Sequence, residues 1–80
     1  MDSRDALAKE LSTYGRIGVR RLDIEYARYH ARRLLDPRIP ARRVAAGIES
    51  WLTCQETGPT DFFVRMDLSK IARRINQIAA

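Results

Sequence analysis

Lysine, histidine and cysteine are scarce in this 80-residue chain, and each scarcity excludes a class of site. Only two of the fifteen basic residues are lysines. The single cysteine, Cys54, cannot form an internal disulfide, and with the single histidine, His30, it cannot make up a zinc site. We therefore predict no metal or cofactor, and we interpret Cys54 as a buried or half-buried structural thiol.

Long apolar runs are also missing. The longest, such as Phe62–Val64, have only three residues, far fewer than a membrane-spanning helix requires. The first ten residues are charged and lack the apolar core of a signal peptide. These features predict a cytoplasmic protein that does not enter membranes.

Catalytic constellations are absent from the sequence. A nucleophile needs a nearby base, and that base usually needs an orienting partner. No serine or cysteine lies close to His30 in the sequence, and the acidic residues are scattered. The four glycines do not form a phosphate-binding loop. We predict that the protein is not an enzyme.

The chain does carry the apolar periodicity of helices. Its composition, 45% hydrophobic and 31% charged, is typical of a globular domain, and the length predicts one domain over residues 1–80. Apolar residues recur at helical spacing in four segments, with almost no strand pattern. We predict an all-α bundle of about four helices with short loops. The core of an 80-residue chain is small, so a homodimer is an alternative way of burying apolar surface.

Capping and turn residues suggest where these helices begin and end. The first helix should begin after Asp2 or Ser3 and stop at Gly15. The other signals are Asp23 as the N-cap of the second helix, Leu35 as its end, Pro40 and Glu56 around the third helix, and Asp67 as the N-cap of the fourth. Gly47 lies within the third helix and predicts close approach by another helix.

Positive charge is concentrated in one part of the chain. The net charge is +5, and residues 16–43 contain nine arginines against Asp23, Glu25 and Asp36. Helical spacing and a tight turn could gather arginine and tyrosine side chains into one "arginine surface", made of Arg28, Tyr29, Arg32, Arg33, Arg42 and Arg43. Arginine binds phosphate in a bidentate manner and tyrosine stacks on bases, which indicates nucleic acid or an acidic partner. The alternative is a solvated helix face, partly paired with Glu25 and Asp36.

The segment around Gly47 does not fit a helix-turn-helix. That motif requires a small residue four positions before the turn glycine and apolar residues about six and nine positions after it. Arg43, Thr53 and Glu56 occupy those positions. One continuous helix is predicted instead, and with it no sequence-specific reader of the major groove.

Three aromatic residues, Trp51, Phe62 and Phe63, are predicted to belong mainly to the core. Neighbouring phenylalanines rarely bury both rings, so one ring of the pair should be exposed. We name Phe62 and Phe63 the "phenylalanine surface", a candidate contact for a larger protein partner.

Residues 36–75 follow an ordered layout of a proline turn, an apolar helix with an aromatic residue near its end, a polar loop, a phenylalanine pair and a final helix. The residues that carry it are Pro37, Pro40, Val44, Ala45, Ile48, Trp51, Leu52, Phe62, Phe63, Asp67, Leu68, Ile71 and Ala72. This layout resembles the replicative-helicase loader and inhibitor family of phages and prophages. The chain departs from that family in having Val64, Arg65 and Met66 where a proline is usual.

The resemblance implies a helical protein of phage type that modulates a replicative helicase, or a similar nucleic-acid machine, through protein contacts. Two alternatives rest on the charge. One is a direct, weakly specific nucleic-acid binder that uses the arginine surface. The other is an inhibitor of a host defence complex. A positive chain would not inhibit by mimicking nucleic acid, because a mimic should be acidic.

Overall fold

Four helices make up most of the protein, as the sequence pattern predicts. The computed structural model describes residues 2–79, and no strand occurs within them. The helices are α1 (Arg4–Ser12), α2 (Arg21–Leu35), α3 (Ala41–Thr53) and α4 (Phe62–Ala79). The prediction of a small all-α bundle with short loops is therefore confirmed.

The helices pack mainly as two pairs, α1 on α2 and α3 on α4, around a single apolar core. Ile48 in α3 is fully buried, as its position in the apolar stripe predicted. Trp51, expected at the border of that stripe, is only 5% exposed and belongs to the core. The largest fully buried aliphatic side chains come from all four helices: Leu7, Leu11, Leu34, Val44, Ile48, Val64, Leu68 and Ile75.

Two predicted helix starts are wrong, and both errors concern an aspartate. Asp23 is not the N-cap of α2, because the helix begins two residues earlier, and Asp23 accepts a hydrogen bond from the N–H of the N-cap residue Arg20. Asp67 lies inside α4 rather than before it. The first-turn N–H groups of α4 at Phe63 and Val64 bind Asp61 instead. At α1 the expected cap is present, since Ser3 Oγ accepts from the Ala6 N–H.

Arginine side chains connect the ends of the helices. Arg4 donates to three main-chain carbonyls where α2 ends, those of Leu34, Asp36 and Ile39. Free carbonyls at the end of a helix need such donors. Arg20 links the start of α2 to the loop after α3 by donating to the Thr57 and Gly58 carbonyls.

Two further clusters tie α4 to the N-terminal part of the chain. Arg74 pairs with Asp2 and Glu10. Asp67 accepts hydrogen bonds from the Tyr14 hydroxyl and the Arg16 guanidinium, both at 2.6 Å. These two donors, Tyr14 foremost, hold the pKa of the Asp67 carboxyl below its usual value.

Candidate binding surfaces

The arginine surface is divided by the fold into a central group and two flanks. Five of its six members are exposed, and Arg33 is half-buried. Tyr29 and Arg33 are one helical turn apart on α2, and the Arg33 guanidinium lies 5.7 Å from the centre of the Tyr29 ring. This distance allows a cation–π contact.

Gly47 explains how Arg33 reaches the third helix. A Cβ atom at Gly47 would lie 2.7 Å from Arg33 Nη1 and 3.3 Å from a carbon of the His30 ring. The glycine therefore makes room for side chains of α2, which confirms the predicted close approach. Tyr29 and Arg33, which lie beside Gly47, thus form the central group of the arginine surface.

The remaining arginines form the two flanks of the surface. Arg28 and Arg32 are four residues apart and share the outer face of α2, as predicted. Arg42 and Arg43 are consecutive residues of α3, about 100° apart around the helix. Both line a depression with Ile78 and Ala79 at the end of α4. The surface therefore wraps around the α2–α3 pair and is not one flat patch.

Ion pairing separates the arginine surface from most other arginines. Arg16, Arg20, Arg21, Arg38 and Arg74 each pair with an acid. Within residues 2–79, none of the five arginines of the arginine surface has an acidic side chain within 4.0 Å. Glu25 and Asp36, which the solvated-face alternative paired with these arginines, instead pair with Arg21 and Arg38.

A layer of stacked rings lies beneath the central group. Tyr26 stacks on Trp51 with ring centres 5.2 Å apart. His30 also stacks on Trp51, with ring centres 5.7 Å apart. The Trp51 indole N–H donates to the Thr57 carbonyl. Burial, and secondarily the charge of Arg33, lower the pKa of His30 from 6.5 to about 4. A buried neutral histidine here supports packing between α2 and α3.

The phenylalanine surface is more exposed than the sequence predicted. Phe62 is 68% exposed and Phe63 55%, so both rings lie outside the core, and the expectation that they belong mainly to it is wrong. The reason is that α4 begins at Phe62, which places both rings on the first turn while Val64 points inward. The Arg16 guanidinium lies 5.3 Å from the centre of the Phe63 ring.

Cys54 is exposed, so its interpretation as a buried or half-buried thiol is wrong. The residue is the C-cap of α3 and stands at the start of the polar loop, where the chain leaves the core. Hydrogen bonds from the Thr57 side chain, and from the main chain of Thr57 and Glu56, lower the pKa of the thiol.

Two kinds of site are absent from the part of the chain that the structure describes. Residues 2–79 hold no cluster of three or more histidine, cysteine, aspartate or glutamate side chains that could bind a metal ion. Among the same residues, no helix has both the length and the apolar character needed to cross a bilayer.

Sequence reasoning overlooked Arg65 and Met66, which follow the phenylalanine surface on α4. Both are exposed, and they line a groove against α3 together with Phe62. Their three- and four-residue spacing from Phe62 is the signal that could have identified them. It was missed because Asp67 was interpreted as the start of the helix.

Comparison with known proteins adds no relative. The chain matches no protein-family model, no curated protein and no solved structure.

Proposed function

We propose that this chain is a non-enzymatic binding protein of the cytoplasm that modulates a larger nucleic-acid machine, such as a replicative helicase, through protein contacts. The observation that carries the proposal is the exposure of Phe62 and Phe63 on the first turn of an ordered helix. The layout of residues 36–75, which resembles the phage helicase loader and inhibitor family, supports the choice of machine.

Two neighbouring exposed aromatic rings favour a protein partner. Large aromatic side chains bury roughly 150–250 Å² each and dominate the energetics of interfaces. The rings are in edge contact with centres 5.7 Å apart, and Asp61 fixes the helix start beneath them. A preorganised pair of this kind loses little side-chain entropy on binding.

The test is capture of partners from host lysate by the tagged protein, with and without nuclease. We expect a partner that survives nuclease and is lost with the Phe62→Ala/Phe63→Ala variant. Tyr29→Ala is the matched control, because it removes an exposed ring from the arginine surface, and it should retain the partner. Loss of every partner on nuclease treatment would overturn the proposal.

Direct nucleic-acid binding is the second candidate function, and the unpaired arginines favour it. Five exposed or half-exposed guanidinium groups, with no acidic side chain within 4.0 Å among residues 2–79, can bind phosphate at little desolvation cost. Tyr29, 48% exposed beside Arg33, offers a ring for base stacking.

Titration of labelled single- and double-stranded oligonucleotides at low salt tests this second function. We expect binding tighter than about 100 μM, the weak limit of non-specific association. Tyr29→Ala should weaken single strands more than duplex, because only unpaired bases offer a free face for stacking. If neither oligonucleotide binds in that range, the arginine surface does not bind nucleic acid.

A further inference from the structure

A groove of about 600 Å³ runs between α3 and α4. Leu52, only 8% exposed, belongs to its floor, and the exposed side chains of Phe62 and Met66 line it from α4. Ser69, a small residue, continues the lining towards the next turn. The groove thus contains a buried apolar residue, Leu52, next to one exposed ring of the phenylalanine surface, Phe62.

The residues of α4 that line the groove form a single stripe. They are Phe62, Arg65, Met66, Ser69 and Arg73, which are spaced by three or four residues along the helix. From Phe62 to Arg73 the stripe extends over about 16 Å, or three helical turns. A partner helix of roughly ten to twelve residues would match this length.

Charge defines the partner further. Arg65 and Arg73 line the groove, and within the described residues 2–79 neither has an acidic side chain within 4.0 Å. Glu49 is the single acid of the lining. An occupant with acidic flanks would therefore be attracted to the rim, while apolar side chains entered between Leu52, Phe62 and Met66.

From these features we infer that the α3–α4 groove binds an acidic amphipathic helix of a partner protein. Apolar residues at i, i+4 and i+7 of that helix occupy the groove, and its aspartates and glutamates face Arg65 and Arg73. The inference rests on the proposed function and names the partner segment by its chemistry.

A second copy of this chain fits the groove less well. The apolar stripes of its helices are already buried in its own core, and Glu10 of α1 is paired with Arg74. Nucleic acid also fits less well, because phosphate binding would use Arg65 and Arg73 but not the apolar side chains of Leu52, Phe62 and Met66.

The experiment is selection of a displayed library of random 16-residue peptides on the intact protein, followed by affinity measurement of the enriched peptides. We expect enriched sequences with apolar residues at helical spacing and flanking acids. Phe62→Ala, and separately Arg65→Glu/Arg73→Glu, should each weaken binding at least tenfold. The matched controls are Leu35→Ala, which removes an exposed apolar side chain (56% exposed) of α2 outside the groove, and Lys9→Glu/Arg21→Glu, an equal charge change at exposed positions of α1 and α2.

The outcomes separate this inference from the function on which it rests. Enrichment of basic or purely polar peptides, no enrichment, or equal weakening by the control variants would overturn the groove assignment. Formation of a dimer that Phe62→Ala dissociates would assign the groove to a second copy instead. A nuclease-resistant partner whose capture is unaffected by Arg65→Glu/Arg73→Glu would leave the proposed function intact and reject the groove.

Discussion

His30 is a polar residue that the fold holds in an apolar, aromatic environment. It is 4% exposed, and its Nδ1 atom is buried without a hydrogen bond among the residues that the structure describes. Its ring lies edge-on to Tyr29 and stacks on Trp51, and the charge that faces it is that of Arg33. A proton on this ring would be both buried and repelled, which makes the neutral form the folded form.

The stability of the protein should therefore depend on pH through His30. Its pKa is about 4 when folded and 6.5 when exposed, so between these values the unfolded chain binds the extra proton. The contribution is complete above pH 6.5 and declines as the pH falls towards 4. By pH 5 we expect the free energy of unfolding to have dropped by about 2 kcal/mol. Urea denaturation at pH 7 and pH 5 measures this loss.

His30→Phe is the control, because phenylalanine keeps the ring packing and cannot titrate. Its stability should change little between pH 7 and pH 5. A wild-type protein as stable at pH 5 as at pH 7 would show that the imidazole takes up its proton freely in the folded state.

Gly58 is a second residue whose identity is set by its neighbours. A Cβ atom there would meet the main-chain carbonyl oxygen of Cys54 and lie 2.9 Å from that of Trp51. Main-chain atoms cannot rotate away, so Gly58→Ala should shift the loop and lose at least about 2 kcal/mol of stability. Gly15→Ala is the control, since nothing lies within 4 Å of its Cβ position. Thermal unfolding of both variants checks this, and equal melting temperatures would contradict it.

At the scale of the helices, the sequence predicts the number of elements better than their boundaries. Leu35 ends α2 as expected because Pro37 follows, and α3 runs unbroken through Gly47. Asp23 and Asp67 were misassigned as caps because an aspartate before an apolar run has the same local pattern at the N-cap and inside the first turns. The two positions differ in their long-range contacts. Arg20, the partner of Asp23, also binds the Gly58 carbonyl, and Asp67 accepts a hydrogen bond from Tyr14.

The candidate sites show the same limit. The exposure of Arg28 and Arg32 follows from helical spacing alone and was predictable. Which arginines would be paired was not, because Arg74 meets Asp2 and Glu10 more than sixty residues away in the chain. The exposure of Phe62 and Phe63 depends on where α4 begins, and a wrong helix start hid both the paired exposure and the α3–α4 groove.

The Arg20–Asp23 pair is the link between α2 and the loop after α3, and its removal should loosen both. Asp23 is 1% exposed, and Arg20 supplies its only side-chain partner among residues 2–79. Arg20→Met leaves this carboxylate buried and unpaired, so we expect a loss of roughly 2 kcal/mol, reduced by the partial exposure of the arginine. Chemical denaturation measures the loss.

Asp23→Asn in the Arg20→Met background is the matching test. It removes the charge and keeps an oxygen that can accept from the main-chain N–H of residue 20. The double variant should recover part of the lost stability. If it is no more stable than Arg20→Met alone, the unpaired charge is not the cause of the loss.

Over the whole molecule, the acidic residues and the arginines without acidic partners have different locations. The acids Asp2, Glu10, Asp23 and Asp67 pair with arginines that connect elements of the fold or cap a helix, and Asp36 pairs locally with the exposed Arg38. The excess positive charge, +5 over the sequence, thus lies on the sides of α2, α3 and α4 whose arginines have no acidic side chain within 4.0 Å among residues 2–79. The longest dimension of the molecule, 29 Å, matches about eight successive phosphates on one strand of a duplex, at roughly 3.4 Å each.

Salt dependence tests whether this excess charge contacts a polyanion. Each phosphate contact releases condensed counterions, so the slope of log K against log salt should be about −0.7 per contact for single strands. If Arg32 and Arg33 each contact a phosphate, the Arg32→Ala/Arg33→Ala variant should lower the magnitude of the slope by about 1.4. Arg38→Ala is the control from the same stretch of sequence, because Arg38 is paired with Asp36, and its slope should match that of the wild type.

An oligonucleotide titration at several salt concentrations, with helix content checked by circular dichroism, supplies both slopes. A double variant that keeps the wild-type slope while folded would show that these arginines do not contact phosphate, and direct nucleic-acid binding through this part of the surface would be rejected.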